Sequence, residues 1–522
     1  MDATSQPPPR LGLLRRLLYA ALTLLLFAAL LEGALAVVDV GNPLGRLSLT
    51  RGFNPAVHYF AEVPDAPGTV RTQMFNRESP EVTIPPRDDR VRVMLFGESN
   101  TEGFREEKLQ ASLEKAMPGT RFQVLNLGRH GYGSERVRIL MTQALEYKPD
   151  IALIYLGHNE FIEKGFAAEI AEQWKQPWLL RVTEKLSALR TMNLGVSVVE
   201  RLMAGPLAPP PESWQKRNEI FAGLSWDKTQ LFYDVYRENL TAMYELARKA
   251  GTKVVLATVL GNDFDPPVVS TPPAGMTEEK QRQMSKLRRE ALDLIPRRFC
   301  PGVLATGPDN PVIRLRPTDW GESVTREALA ERRAAATPRT LPQLRPCTGE
   351  LSGAPFWNDS DVWLPQVFKL MDTEGQICAR QLDDAERAGL RRACQLYQQI
   401  LQICPEIPVA LYELGLCTYL LGEDDARAAE LLRQAAHFDR APTRGTDIIN
   451  GIVRSLAASN ADDPGTRFVD IEHWFQERSP QELVGYEVMM DNCHLHEISR
   501  AILVDQFVAP MVELSRQVLA ER

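Results

Sequence analysis

Val91-Arg92-Val93-Met94-Leu95-Phe96-Gly97-Glu98-Ser99-Asn100-Thr101-Glu102-Gly103 is the stretch on which the reading of this chain turns. A β-prone apolar run ends at a glycine, which lets the backbone turn tightly, and a serine follows directly. Far downstream stands Asp491-Asn492-Cys493-His494. A serine on a strand-end turn and a distant Asp-x-x-His suggest a nucleophile and its base. Gly-x-Ser alone is weak, because most such serines merely cap helices.

Working outward, the pattern repeats. Val91–Phe96 reads as a strand and Glu106–Met117 as a helix, ended by Pro118-Gly119. Phe122–Leu127 reads as a strand, and Ser134–Glu146 as a helix opened by a serine cap. Ile151–Leu156 is another apolar strand. Phe232–Ala250 reads as a helix closed by Gly251, and Lys253–Val259 as the next strand. Late in the chain come a helix over Asp447–Ser459, a strand over Arg467–Ile471 and a closing amphipathic helix over Ile498–Ala520. Alternating strands and helices argue for an α/β fold with a parallel sheet covered on both faces.

The 522 residues exceed what one core requires, so more than one structural unit is expected. A net charge of −8 and no long basic run beyond the N-terminus argue against a nucleic-acid partner. Residues 1–16 read as the cytoplasmic N-terminus, polar and proline-rich over 1–10 and carrying Arg10, Arg15 and Arg16; the apolar run 17–40 follows, broken mainly by Glu32. As a helix that run spans about 36 Å, enough for a hydrocarbon core of about 30 Å. The flanking arginines place the amino end in the cytoplasm and the remainder on the exported side, periplasmic or extracellular. A cleaved signal peptide is the rival reading, since Ala34-Leu35-Ala36 resembles a cleavage site. The seven cysteines all fall in the second half, and their pairing is not fixed by spacing. No spacing suggests a zinc site, and neither a metal nor a cofactor is implied.

Residues 41–89, rich in proline, read as an irregular juxtamembrane linker, and residues 266–375 as an insertion or lid around a charged helix at Glu278–Leu294. In 376–442 the period changes. Ala393, Tyr397, Ile400 and Pro405 fall at the spacing of the second helix of a tetratricopeptide repeat, and Leu414-Gly415, Ala428, Leu432 and Ala435 suit the next. The segment resembles a tetratricopeptide unit of about one and a half repeats, and so short an array needs neighbours to cover its faces. An ordinary helical hairpin is the plainer alternative. The α/β domain is thereby split into 90–265 and 443–522.

A neutral serine needs a base within hydrogen-bond reach and donors for the oxyanion. Three further blocks supply candidates. Asn126-Leu127-Gly128-Arg129-His130-Gly131-Tyr132-Gly133-Ser134 follows the second strand, Gly157-His158-Asn159-Glu160 the third, and Asp491-Asn492-Cys493-His494 the last. At the carboxyl edge of a parallel sheet all would share one rim. In content and order these blocks resemble those of the SGNH (GDSL-like) hydrolases. The resemblance covers roughly 90–265 and 445–515 and implies a three-layer, flavodoxin-like parallel sheet. It implies Ser99 as nucleophile, His494 as base, Asp491 as its orienting acid, and an oxyanion hole from the Ser99 and Gly131 amides with the Asn159 side chain. The chain departs from the family in reading Gly-Glu-Ser for Gly-Asp-Ser and Gly-His-Asn-Glu for Gly-x-Asn-Asp. Glu98 and Glu160 are expected to bond backbone amides rather than act as acids.

The implied chemistry is acyl transfer by a Ser-His-Asp triad. Export suggests an acylated carbohydrate, such as an O-acetylated glycan, or a lipid as substrate; the substrate-binding residues stay unknown. An O-acyltransferase using the same triad, and a non-catalytic scaffold binding a protein partner through the helical insert, are the other readings. His496 rivals His494 as base. His130 and His158 either shape the pocket or serve as hydrogen-bonded structural histidines. Cys493 reads as a small buried filler. Arg440 and Arg444 are candidate contacts for an anionic substrate, against the plainer reading of solvated loop charges.

Overall fold

Strands β1 (Val91–Gly97), β2 (Phe122–Asn126), β3 (Ile151–Tyr155), β4 (Lys253–Ala257) and β5 (Thr466–Val469) form one five-stranded sheet in the computed structural model of the protein. The structure describes residues 13–38, 40, 58–73, 81–164, 186, 189–195, 225–267, 275–295, 312–314, 376–378, 383–479, 482–485 and 488–522. The order is β5-β4-β3-β1-β2 and every neighbouring pair is parallel. The expected parallel sheet is therefore present. Its first four strands read as mainly apolar because they are buried on both faces; every residue of β1 to β4 is buried, Arg92, Gln123, Asn126 and Lys253 included. Helices Glu106–Ala116 and Val508–Glu521 pack together and onto the sheet, while Ser134–Ala144, Trp226–Lys249 and Asp447–Ser459 form the other covering group.

The chain leaves β1 toward β2 and then returns across β1 to β3. This reversal is the topological switch point, where open α/β sheets bind ligands beyond their carboxyl ends. Ser99 lies just past β1 and Asn159 just past β3. Gly97 matters here for space more than for a sharp turn. A Cβ at that position would stand 2.1 Å from both Thr101 Oγ1 and the Tyr155 carbonyl oxygen.

Three differences from the sequence reading have physical causes. The linker 41–89 holds a small antiparallel sheet, Phe60–Glu62, Val70–Thr72 and Thr83–Ile84, whose strands are too short to show a period. Ser134 does not cap its helix. Gly133 is the cap residue, and Glu160 accepts from both the Ser134 amide and hydroxyl at 2.7 Å. The closing helix is two, Glu497–Asp505 and Val508–Glu521, broken at Gln506-Phe507. Helix Glu278–Leu294, read as part of an insertion or lid, packs against Asp384–Ile403. There Arg288 donates to the buried Glu413 carboxylate at 2.7 Å. Most of the remaining lid residues lie outside the described ones.

Helices Asp384–Ile403, Pro408–Leu421 and Asp425–Phe438 stack successively and share one apolar core with Met284 and Ala291 of Glu278–Leu294. A capping box at Asp383 and Glu386 starts the first, and Gly422, with φ of 64°, ends the second.

The N-terminal helix Leu13–Val37 belongs to a separate unit with 172–210. Its span Leu18–Val37 is long and apolar enough to cross a membrane, a property that anchors and signal sequences share. Leu24 and Phe27 are 69% and 65% exposed, so no core among the described residues covers this surface. Within the unit, Glu32 accepts from the Thr191 amide at 3.0 Å and hydroxyl at 2.9 Å.

Candidate active site

Ser99 opens a single helical turn directly after β1. At that first helical position its amide has no acceptor within the helix. Its hydroxyl lies 2.8 Å from His494 Nε2, and His494 Nδ1 lies 2.8 Å from Asp491 Oδ2. Residues 395 positions apart thus form one continuous hydrogen-bonded chain. The ring that meets Ser99 is that of His494; His496 stands two residues on, as the cap of the next helix.

The Asp-x-x-His spacing has a local explanation. Asp491 Oδ1 accepts from the Cys493 amide at 2.9 Å and the His494 amide at 2.7 Å, folding the loop so that Oδ2 meets the ring. Burial pushes the Asp491 carboxyl up, but the His494 ring and these amides outweigh it and hold the group down at about 2. Asp491 therefore remains a carboxylate at neutral pH, so the adjoining Nδ1 carries the proton and Nε2 is left as acceptor for the serine hydroxyl.

Asn100, which sequence reasoning passed over, clamps this loop from the nucleophile's side. Its Nδ2 donates to the Cys493 carbonyl at 2.7 Å, and its Oδ1 accepts from the Leu495 amide at 3.3 Å. Its position beside Ser99 is the one signal the sequence offers. The clamp itself appears only when two distant loops meet.

Glu98 holds the third block. Its buried carboxylate accepts from the amides of Gly157 at 2.9 Å, His158 at 2.9 Å and Asn159 at 3.1 Å, and pairs with His158 Nδ1 at 2.9 Å. Asn159 is buried, and its Nδ2 donates to the Tyr132 carbonyl at 3.1 Å. Gly131 precedes that tyrosine with φ of 73°, a left-handed conformation that favours glycine. Gly131 and Asn159 are thus joined to each other through Tyr132, and to Ser99 through Glu98. Glu160 ties the same block to helix Ser134–Ala144. The exposed His130 ring lies roughly parallel to that of His494, centroids 6.2 Å apart.

His158 is structural: its Nε2 lies 2.8 Å from the Leu260 carbonyl oxygen. Cys493 is buried, and burial together with the Asp491 charge pushes its thiol well above the ordinary range. Asp491, Cys493 and His494 are the metal-capable cluster among the described residues, their ligand atoms within 4.8 Å of one another. That donor set fits a metal poorly, because both ring nitrogens are engaged and the thiol resists ionisation. Arg444 is buried rather than solvated.

Fold and site together define an α/β protein that holds a Ser-His-Asp chain of hydrogen bonds at the carboxyl edge of a parallel sheet. No protein-family model matches the chain, and searches of the curated proteins and of the solved structures give no significant match.

Proposed function

We propose that this protein is a serine esterase of the SGNH (GDSL-like) class, acting on an ester-linked acyl group. The observation that carries the reading is the unbroken chain from the Ser99 hydroxyl through His494 to Asp491. His494 Nε2 takes the hydroxyl proton as Oγ attacks the ester carbonyl, and Asp491 steadies the resulting imidazolium. The Ser99 and Gly131 amides and the second amide hydrogen of Asn159 receive the oxyanion. His494 then protonates the departing alcohol, and water, activated by the same ring, releases the acyl-enzyme. Two features support that class: the strand order, and a site assembled from loops after β1, β2 and β3. Glu98 and Glu160, standing where the class has aspartate, keep a carboxylate on the loop amides and at the helix start.

In this reading the N-terminal helix is a membrane anchor, and the α/β domain acts on an acylated glycan or lipid of the exported side. The stacked helices 384–438 form a tetratricopeptide-like insert. Support comes from Gly415, where a Cβ would stand 3.0 Å from Leu432 Cγ, so a side chain there would push these helices apart.

Labelling of the detergent-solubilised full chain with a fluorophosphonate probe tests the proposal. Wild type should be labelled, and Ser99→Ala should lose the label entirely. Equal labelling of both proteins would move the nucleophile elsewhere and end this reading. Acyl transfer to an added alcohol, measured against hydrolysis, then separates an acyltransferase from an esterase.

A further inference from the structure

A polar cavity of about 250 Å³ lies apart from Ser99, where helix Asp425–Phe438 meets the loops after β4 and before helix Asp447–Ser459. Its walls include Asp263, Arg433, Arg444, Asp447, Arg454 and Glu472. Three of these are cations and three are carboxylates, and they are not paired evenly. Arg454 is committed to Asp470, at 2.8 Å, and to Glu472, at 2.7 Å. Asp447 pairs with His437 at 2.7 Å. Arg433 and Arg444 share the space with Asp263, and no carboxylate among the described residues hydrogen-bonds to either of them.

The hydrogen bonds of both arginines run to backbone carbonyls among the described residues. Arg433 Nη2 donates to the Glu482 carbonyl at 2.6 Å, and Arg444 Nη1 to the carbonyls of Asn262, at 2.6 Å, and Asp265. Arg433 Nε and Arg444 Nη2 are both buried with no hydrogen-bond acceptor among the described residues, and Arg444 as a whole is only 3% exposed. A buried N–H group left without an acceptor is expensive to keep. The missing acceptors have to come from an occupant of the cavity, a ligand oxygen or water. Asp263, half-buried, faces the same space; desolvation there pushes its carboxyl up to about 6.

We propose that this cavity binds a compact oxyanion, a carboxylate or a phosphate on a small polar body, through Arg433 Nε and Arg444 Nη2. The volume lies just below the range of pockets that hold drug-sized ligands, which limits the occupant to a single small residue rather than a polymer. Asp263 offers an acceptor for a hydroxyl on the same ligand. The site also touches the acid loop. Asn262, whose carbonyl receives Arg444, donates through its amide to the Asn492 carbonyl at 3.1 Å and through Nδ2 to the Asp491 carbonyl at 2.9 Å. The proposal does not rest on the esterase reading, since nothing in it uses Ser99.

Calorimetric titration of the full chain tests it, with inorganic phosphate and D-glucuronate as probes and glucose as neutral control, at matched ionic strength. At least one anion should bind saturably, glucose should not, and Ser99→Ala should bind as wild type does. Arg433→Gln should weaken the anion by about tenfold to a hundredfold, the worth of a hydrogen bond to a charged group. Arg444→Gln should do the same where it folds; Arg433→Gln, whose side chain is nearer the surface, decides the matter if it does not. A folded wild type that takes up neither anion overturns the proposal. So does undiminished binding by Arg433→Gln, which would mark an adventitious surface ion only.

Discussion

Two carboxylate–histidine pairs flank the nucleophile, and they share a bond but not a use. Glu98 meets His158 Nδ1 at 2.9 Å; Asp491 meets His494 Nδ1 at 2.8 Å. At Nε2 they part. His158 faces the Leu260 carbonyl at 2.8 Å, whereas His494 faces the Ser99 hydroxyl at the same distance. A carbonyl oxygen can only accept, so His158 Nε2 must donate there and offers no lone pair at that nitrogen. A hydroxyl can donate, so His494 can act as base. Burial follows the same division. The side chains of the first pair are each 1% exposed, those of the second 27% and 42%. The contrast teaches that a carboxylate behind a histidine does not make a catalytic dyad; the group at the far nitrogen does.

The sharpest way to break this contrast is to remove one charge from each pair and ask what is lost. Asp491→Asn should lower the acyl-transfer rate by about 10⁴, through loss of the correct tautomer and of support for the imidazolium. Its urea midpoint should stay close to that of wild type, because the pair is open to solvent. A rate within tenfold of wild type would show that His494 does not depend on Asp491.

Glu98→Gln should do the reverse. Its carboxylate is buried and gathers three loop amides and a ring, so breaking the pair should cost about 3–5 kcal/mol of stability, read from urea unfolding. Any loss of rate should follow displacement of Asn159 and appear alongside the loss of fold. Full stability with a collapsed rate would mean that Glu98 belongs to the chemistry.

Much of this arrangement is legible in the sequence, for a physical reason. Strands buried on both faces are mainly apolar, so Val91–Phe96, despite its buried Arg92, and Ile151–Leu156 announce themselves, and the polar blocks behind them have to share a rim. What stays hidden depends on partners distant in sequence. Ser134 looks like a cap, yet Glu160, 26 positions away, takes its amide. Asn100 looks like any helix-start residue, yet it clamps Cys493 and Leu495 across the site. Arg444 reads as a loop charge, and only packing makes it a buried one. The short strands between Phe60 and Ile84 lack the length for a period to show.

The smallest expected effect lies in the acid limb of stability, and it sharpens the contrast from the open side. Asp491 sits at about 2 in the fold, below the ordinary aspartate value of 3.8. A depressed carboxyl stabilises the fold fully above its unfolded value, and that contribution is lost as pH falls through the folded one. Wild type minus Asp491→Asn should therefore show a small difference in unfolding midpoint above about pH 4 that closes toward about pH 2. Subtraction is necessary because other carboxyls, Asp88 among them at about 2, titrate in the same window in both proteins. Solvent access keeps the difference small. A difference that stayed constant through that whole window would show that Asp491 is not held as a carboxylate by His494 and the loop amides, and the distinction between the two pairs would lose its electrostatic half.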